Sequence, residues 1–128
     1  WRADSHCKFL HGYSLEFEFE FGADELDEKN WVVDFGGLKE LEIWLRSNFD
    51  HKTLVASDDP RISEFELLNN NGIIDMVVVE STGAEMFAKM AMEYSSKMIQ
   101  EKYGERCWVE SVTVREHGAN SAKCKRQN

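Results

Sequence analysis

The amino-acid sequence predicts an α+β domain: an antiparallel sheet with two helices covering one face. Three observations carry this expectation. Residues 14–21 alternate apolar and acidic side chains with period two, as a half-buried strand does. Residues 107–115 alternate again near the other end of the chain. Between them, residues 35–48 and 83–102 repeat apolar side chains at helical spacing.

In the first strand Leu15, Phe17, Phe19 and Phe21 share one face, while Glu16, Glu18 and Glu20 keep the other wet. Polar residues 22–31 form a connection, and 31–34 a short extended stretch. Asp34 stands where its carboxylate can cap the helix over 35–48, whose buried stripe is Leu38, Leu41 and Leu45 with Trp44 beside it. Residues 50–60 read as a loop and 62–68 as a short helical turn. The apolar, β-rich run 76–79 reads as a second strand. Ser81 or Thr82 is placed to cap the next helix, with Glu85 completing a capping box. Phe87, Met90, Ala91, Tyr94 and Met98 form that helix's apolar stripe, and Gly104 ends it. Strict alternation in the last strand sets Cys107, Val109, Ser111 and Thr113 against Trp108, Val112 and Val114. The tail with Cys124, Lys123, Lys125 and Arg126 reads as a solvated end. Three strands cover two helices poorly, so a fourth strand is expected ahead of Trp1, and residues 1–128 are read as one domain.

Composition narrows the function. With 42% hydrophobic residues the chain can bury a core, and no apolar run approaches the ~20 residues of a membrane span. Fifteen basic residues against twenty-four acidic ones give a net charge of -9, which argues against a nucleic-acid surface. An anionic small molecule would need a local pocket. Three widely spaced cysteines do not form a disulfide framework, which points to a reducing, cytoplasmic compartment. No Walker or dinucleotide fingerprint is present.

The segment Cys7-Lys8-Phe9-Leu10-His11-Gly12-Tyr13-Ser14 resembles the Cys-x-x-x-His-Gly-His motif of the 6-pyruvoyl-tetrahydropterin and 6-carboxy-tetrahydropterin synthases. Further matches follow in order. Val33-Asp34-Phe35 with Leu38-Lys39 resembles the element that opens that family's first helix. Phe49-Asp50-His51-Lys52-Thr53-Leu54 resembles its Leu-Asp-His-x-x-Leu element. Thr82-Gly83-Ala84-Glu85 is similar, with a departure at its first positions, to its Pro-Thr-x-Glu helix start. Glu116 resembles its pterin-anchoring glutamate. The resemblance implies the T-fold, whose subunits join their sheets into a barrel as a homo-oligomer, a trimer or a dimer of trimers (a homohexamer), with active sites at subunit interfaces.

The resemblance also implies roles. Cys7 would move a proton at the substrate side chain, which requires nearby charge to make its thiol competent. Asp50 would orient His51 and support its cationic form, completing a Cys7, Asp50 and His51 relay. Glu116 would accept two donors of a pterin edge in a fork. The family holds zinc through three histidines. Here His11 matches the first motif histidine, but Tyr13 replaces the second, and a phenol loses its proton only near ~10. His6 adjoins Cys7, where the family has a longer loop, so it is a poorer ligand and the upstream one is expected before Trp1. The implied reaction is that of a lyase converting 7,8-dihydroneopterin triphosphate to 6-carboxy-tetrahydropterin, on the path to queuosine. The alternatives are triphosphate elimination to 6-pyruvoyl-tetrahydropterin, or a zinc-less paralog that binds pterins without turnover.

Overall fold

Phenylalanines at every second position need an apolar surface to face, and the last third of the chain provides it. A computed structural model describes residues 1–128. In chain order the elements are β1 (Glu16–Ala23), α1 (Lys39–Phe49), β2 (Thr53–Ala56), α2 (Ile62–Asn70), β3 (Met76–Val79), α3 (Ala84–Tyr103), β4 (Cys107–His117) and β5 (Asn120–Lys125). Single 3-10 turns at His6–Lys8 and Phe35–Leu38 precede β1 and α1.

The main sheet is antiparallel with strand order β1-β4-β5. Phe17 lies opposite Val114, Phe19 opposite Val112 and Phe21 opposite Val109. These side chains, with Ala122 and Cys124 of β5, form the floor on which α3 and α1 pack. Ile99, Val109, Val112 and Val114 are at most 2% exposed. Burying each such aliphatic side chain contributes about 1.5–3 kcal/mol before entropy is counted. Trp44 of α1 stacks on Tyr94 of α3 at 4.4 Å, and Phe49, the last residue of α1, meets Phe17 at 4.7 Å and Phe87 at 5.4 Å. Both long helices therefore sit on one face, as the hydrophobic periodicities require. The other face carries the β1 glutamates, and Arg115 reaches Glu16 and Glu18 at 3.2 and 3.1 Å.

Several details depart from the expectations. The strand 76–79 does not join the main sheet. It pairs in parallel with Thr53–Ala56, a segment read as loop, and α2 makes the crossover that a parallel pair requires. The third strand of the main sheet is β5, in the segment read as a solvated tail. Its alternation is Ala122 and Cys124 inward against Lys123 and Lys125 outward. Strict alternation also fails in β4. Glu20 lies opposite Ser111 but Phe21 opposite Val109, so Glu110 is an extra, exposed residue at a β-bulge. That insertion returns Cys107 and Val109 to the same face as Val112 and Val114.

The helix starts differ as well. Asp34 accepts from the Gly36 N–H at 2.8 Å, as expected of a cap, but it caps a 3-10 turn ahead of α1. Neither Ser81 nor Thr82 caps α3. Gly83, at φ +114, occupies the cap position with no side-chain hydrogen bond. That backbone geometry suits glycine.

Candidate active site

Residues 1–14 are exposed throughout. Polar ties order this arm in place of burial. Ser5 Oγ accepts from the Cys7 N–H at 3.2 Å and so fixes the 3-10 turn that carries the thiol. Trp1 and Arg2 both donate to the Asp58 carboxylate, which holds the arm's start against the loop after β2. His11 Nδ1 bonds to the Phe9 carbonyl, and His11 Nε2 lies 2.8 Å from the Tyr13 hydroxyl.

Glu116 reaches its position through a second bulge. Arg115 lies opposite Ser121, whereas His117 lies opposite Asn120, so Glu116 is the unpaired residue between them. A bulge re-aims a side chain, and such irregularities recur beside functional sites. Glu116 lines a cleft of about 280 Å³ together with Ala84, Glu85, Ala119, Asn120 and Ser121. The uncapped start of α3 opens on the same cleft. Partial loss of hydration, followed by the charges of Glu116 and Cys7, pushes the Tyr13 phenol above its ordinary pKa.

Asp50 and His51 follow Phe49 at the end of α1. Asp50 Oδ1 lies 2.7 Å from His51 Nδ1, and the His51 side chain is 95% exposed. His51 adopts φ 56, a left-handed conformation uncommon for a residue with a Cβ. Phe49 packs on Phe17 and Phe87, so this pair emerges at the end of the sheet where Glu116 follows Val114. The His51 ring bonds to Asp50, and no hydrogen bond joins it to Cys7 or Glu116. His117 uses its ring nitrogen to accept from the Ala119 N–H at 3.1 Å, inside the β4–β5 turn.

The expected metal ligands do not assemble. No group of three or more His, Cys, Asp or Glu side chains stands close enough to hold an ion. His11 is hydrogen-bonded to Tyr13, and His6, in the 3-10 turn, makes no bond to either. The donor set present therefore does not fit the three-histidine zinc site implied by the sequence motif. Sequence reasoning also missed Glu85, Asn120 and Ser121, which share the cleft with Glu116. The turn residues Gly118-Ala119-Asn120, followed by period-two alternation, were the available signal for the hairpin that brings two of them there.

Fold and site together define an α+β domain with an exposed thiol, a histidine–carboxylate pair and a glutamate-lined cleft at one end of an antiparallel sheet. The model of the 6-pyruvoyl tetrahydropterin synthase family matches residues 1–127, and the chain belongs to that family. A Rickettsia typhi protein named 6-carboxy-5,6,7,8-tetrahydropterin synthase is 37% identical over 59 residues, 45% of this chain and 43% of that protein. An Aquifex aeolicus protein of the same name is 30% identical over 97 residues, 74% of this chain and 60% of that protein. The chain thus spans less than two thirds of the length of these relatives. The crystal structure of an uncharacterized protein from Wolinella succinogenes superposes with a TM-score of 0.82 at 20% identity, over 94% of this chain and 81% of that one. At that identity the likeness bears on the fold alone.

Proposed function

We propose that the protein is a cytoplasmic lyase that converts 7,8-dihydroneopterin triphosphate to 6-carboxy-tetrahydropterin. The observation that carries this reading is the family match over residues 1–127, supported by the exposed Cys7 thiol and the cleft lined by Glu116. The names of the relatives favour the 6-carboxy product over the 6-pyruvoyl one.

In this reading Glu116 binds the ring. A carboxylate at a bulge accepts an amino and a ring N–H donor in a fork, which fixes the plane of a flat heterocycle. Cys7 and His51 carry protons at the substrate side chain, with Asp50 holding the imidazole in one orientation and supporting its charged form. Carbon–carbon cleavage and triphosphate loss follow these transfers. No step is assigned to a metal. The chain works as a homo-oligomer of T-fold subunits, a trimer or a dimer of trimers. The free outer edges of β1 and β5 support this, since unpaired strand edges readily add a further strand. Interfaces between copies then bring His51 of one subunit and Glu116 of another around the same ring.

The test is to incubate the purified protein with 7,8-dihydroneopterin triphosphate and identify the product by mass spectrometry. Cys7→Ala is expected to lower kcat by about 10²–10⁴-fold, the range typical for loss of a positioned proton carrier. Glu116→Ala is expected chiefly to raise KM. Wild-type protein that neither turns over the substrate nor binds a pterin in calorimetry rules the reading out.

A further inference from the structure

Both nitrogens of His11 are in use. The Phe9 carbonyl can only accept, so the Nδ1 facing it carries the ring proton. In a neutral imidazole Nε2 then presents a lone pair. A metal-binding histidine is often set up this way, with a carbonyl fixing the tautomer and the other nitrogen free for the ion. In this chain, however, the Tyr13 hydroxyl lies 2.8 Å from Nε2, with the two rings 4.9 Å apart and nearly perpendicular. The hydroxyl donates its proton into that lone pair. A coordinated ion would need the same electrons, so the hydroxyl and an ion compete for one nitrogen.

The pair has a second property. The arm around it is wholly exposed, so apolar burial does not fix its shape. Phe9, His11 and Tyr13 are linked in sequence by the two His11 bonds, and this chain of contacts ties together the segment that follows the Cys7 turn.

We propose that Tyr13 and His11 form a hydrogen-bonded latch that takes the place of a metal ion in organising the Cys7 arm, so that the wild-type protein binds no zinc through His11. The proposal does not depend on the identity of the substrate or on turnover.

Zinc chloride is the probe, added to the purified protein without substrate. Equilibrium dialysis with metal analysis gives the stoichiometry, and the ¹⁵N shifts of His11 give its tautomer. The expected result is a wild-type protein that retains no stoichiometric zinc and keeps His11 protonated at Nδ1 before and after zinc addition. Tyr13→His supplies an imidazole where the hydroxyl stood and is expected to raise zinc affinity by at least about 10–100-fold, the range that even indirect support of a metal ligand commands. Tyr13→Phe removes the hydroxyl without adding a ligand. It is expected to speed amide exchange at Phe9, whose N–H bonds to the His6 carbonyl, by roughly 2- to 10-fold, the loss of one ordinary hydrogen bond, with the melting temperature unchanged. Stoichiometric zinc on the wild-type protein that is lost in His11→Ala overturns the proposal. So does a Tyr13→His protein that gains no affinity, because the hydroxyl would then not be what keeps the metal out. All these measurements are made without pterin, so they can fail while the lyase reading stands, and the reverse.

Discussion

The arm that carries Cys7 and the layer formed by α3 on β4 are built on opposite principles. Residues 1–14 contain no buried side chain and hold their shape by hydrogen bonds to Ser5, Phe9, Tyr13 and Asp58. In α3, Ala84, Ala88, Ala91, Met92, Ser95, Met98 and Ile99 are buried, and β4 supplies Cys107, Val109, Val112 and Val114 beneath them. The second region supplies the stability. In the proposed function the first carries the reactive thiol, which a closed core would shut off from substrate. The difference teaches that reactivity and stability in this chain can be altered almost independently.

Thiol chemistry offers the largest contrast. Cys7 is exposed and Cys107 is buried. Burial also pushes the Cys107 thiol up, against the opposing charge of Arg106, so it stays protonated at neutral pH. A disulfide reagent at pH 7 is expected to modify Cys7 at once and Cys107 only through unfolding, a rate gap of at least about 10³ given ordinary domain stability. Comparable rates would show that the core opens locally. Next in size is core truncation. Ile99→Ala is expected to cost about 2–5 kcal/mol in denaturant unfolding, whereas Phe9→Ala or Leu10→Ala should stay within about 0.5 kcal/mol. A large cost for either arm residue would break the division.

Smaller effects sharpen the boundary between the regions. A double-mutant cycle on Trp44 and Tyr94, stacked at 4.4 Å, should give a coupling of about 0.5–1.5 kcal/mol, since this pair joins α1 to α3. The smallest effect falls in the connection after β1. Asp27 is held below its ordinary pKa by the Trp31 N–H first, then by the Lys29 N–H and the charge of Arg106. A depressed carboxylate contributes stability above its unfolded pKa of about 3.9 and loses that contribution as pH falls through the lower folded value. The melting-temperature deficit of Asp27→Asn should therefore be visible at neutral pH and vanish in strong acid. A deficit unchanged by pH would mean that charge at Asp27 plays no part.

Legibility followed range. The strand at 16–23, both long helices and the last alternating segment were readable because each is specified by a local period. The parallel β2–β3 pair was not, because a four-residue run such as Thr53–Ala56 carries no trace of its partner twenty residues on. Strand β5 was missed because Lys123, Lys125 and Arg126 dominate a segment whose two inward residues, Ala122 and Cys124, are easily overlooked. At the site, motif order singled out Cys7, Asp50, His51 and Glu116, and the structure adds the bulge at Glu116 and the cleft it lines. The likeness of His11-Gly12-Tyr13 to a zinc motif hid what the tyrosine does, since that depends on where its hydroxyl points.

The two insertions in β4 have a consequence beyond their own positions. Glu110 is skipped by β1 near one end of the strand, and Glu116 is skipped by β5 near the other. Each skip adds local right-handed twist and bends the strand. The central strand is therefore interrupted near both ends, against a different neighbour each time. Curvature of this kind lets a sheet wrap around an axis instead of extending flat. Deleting Glu110 would remove that bulge and straighten the strand while Cys107 and Val109 kept their inward facing, so one residue of chain length sets the bend without setting the core.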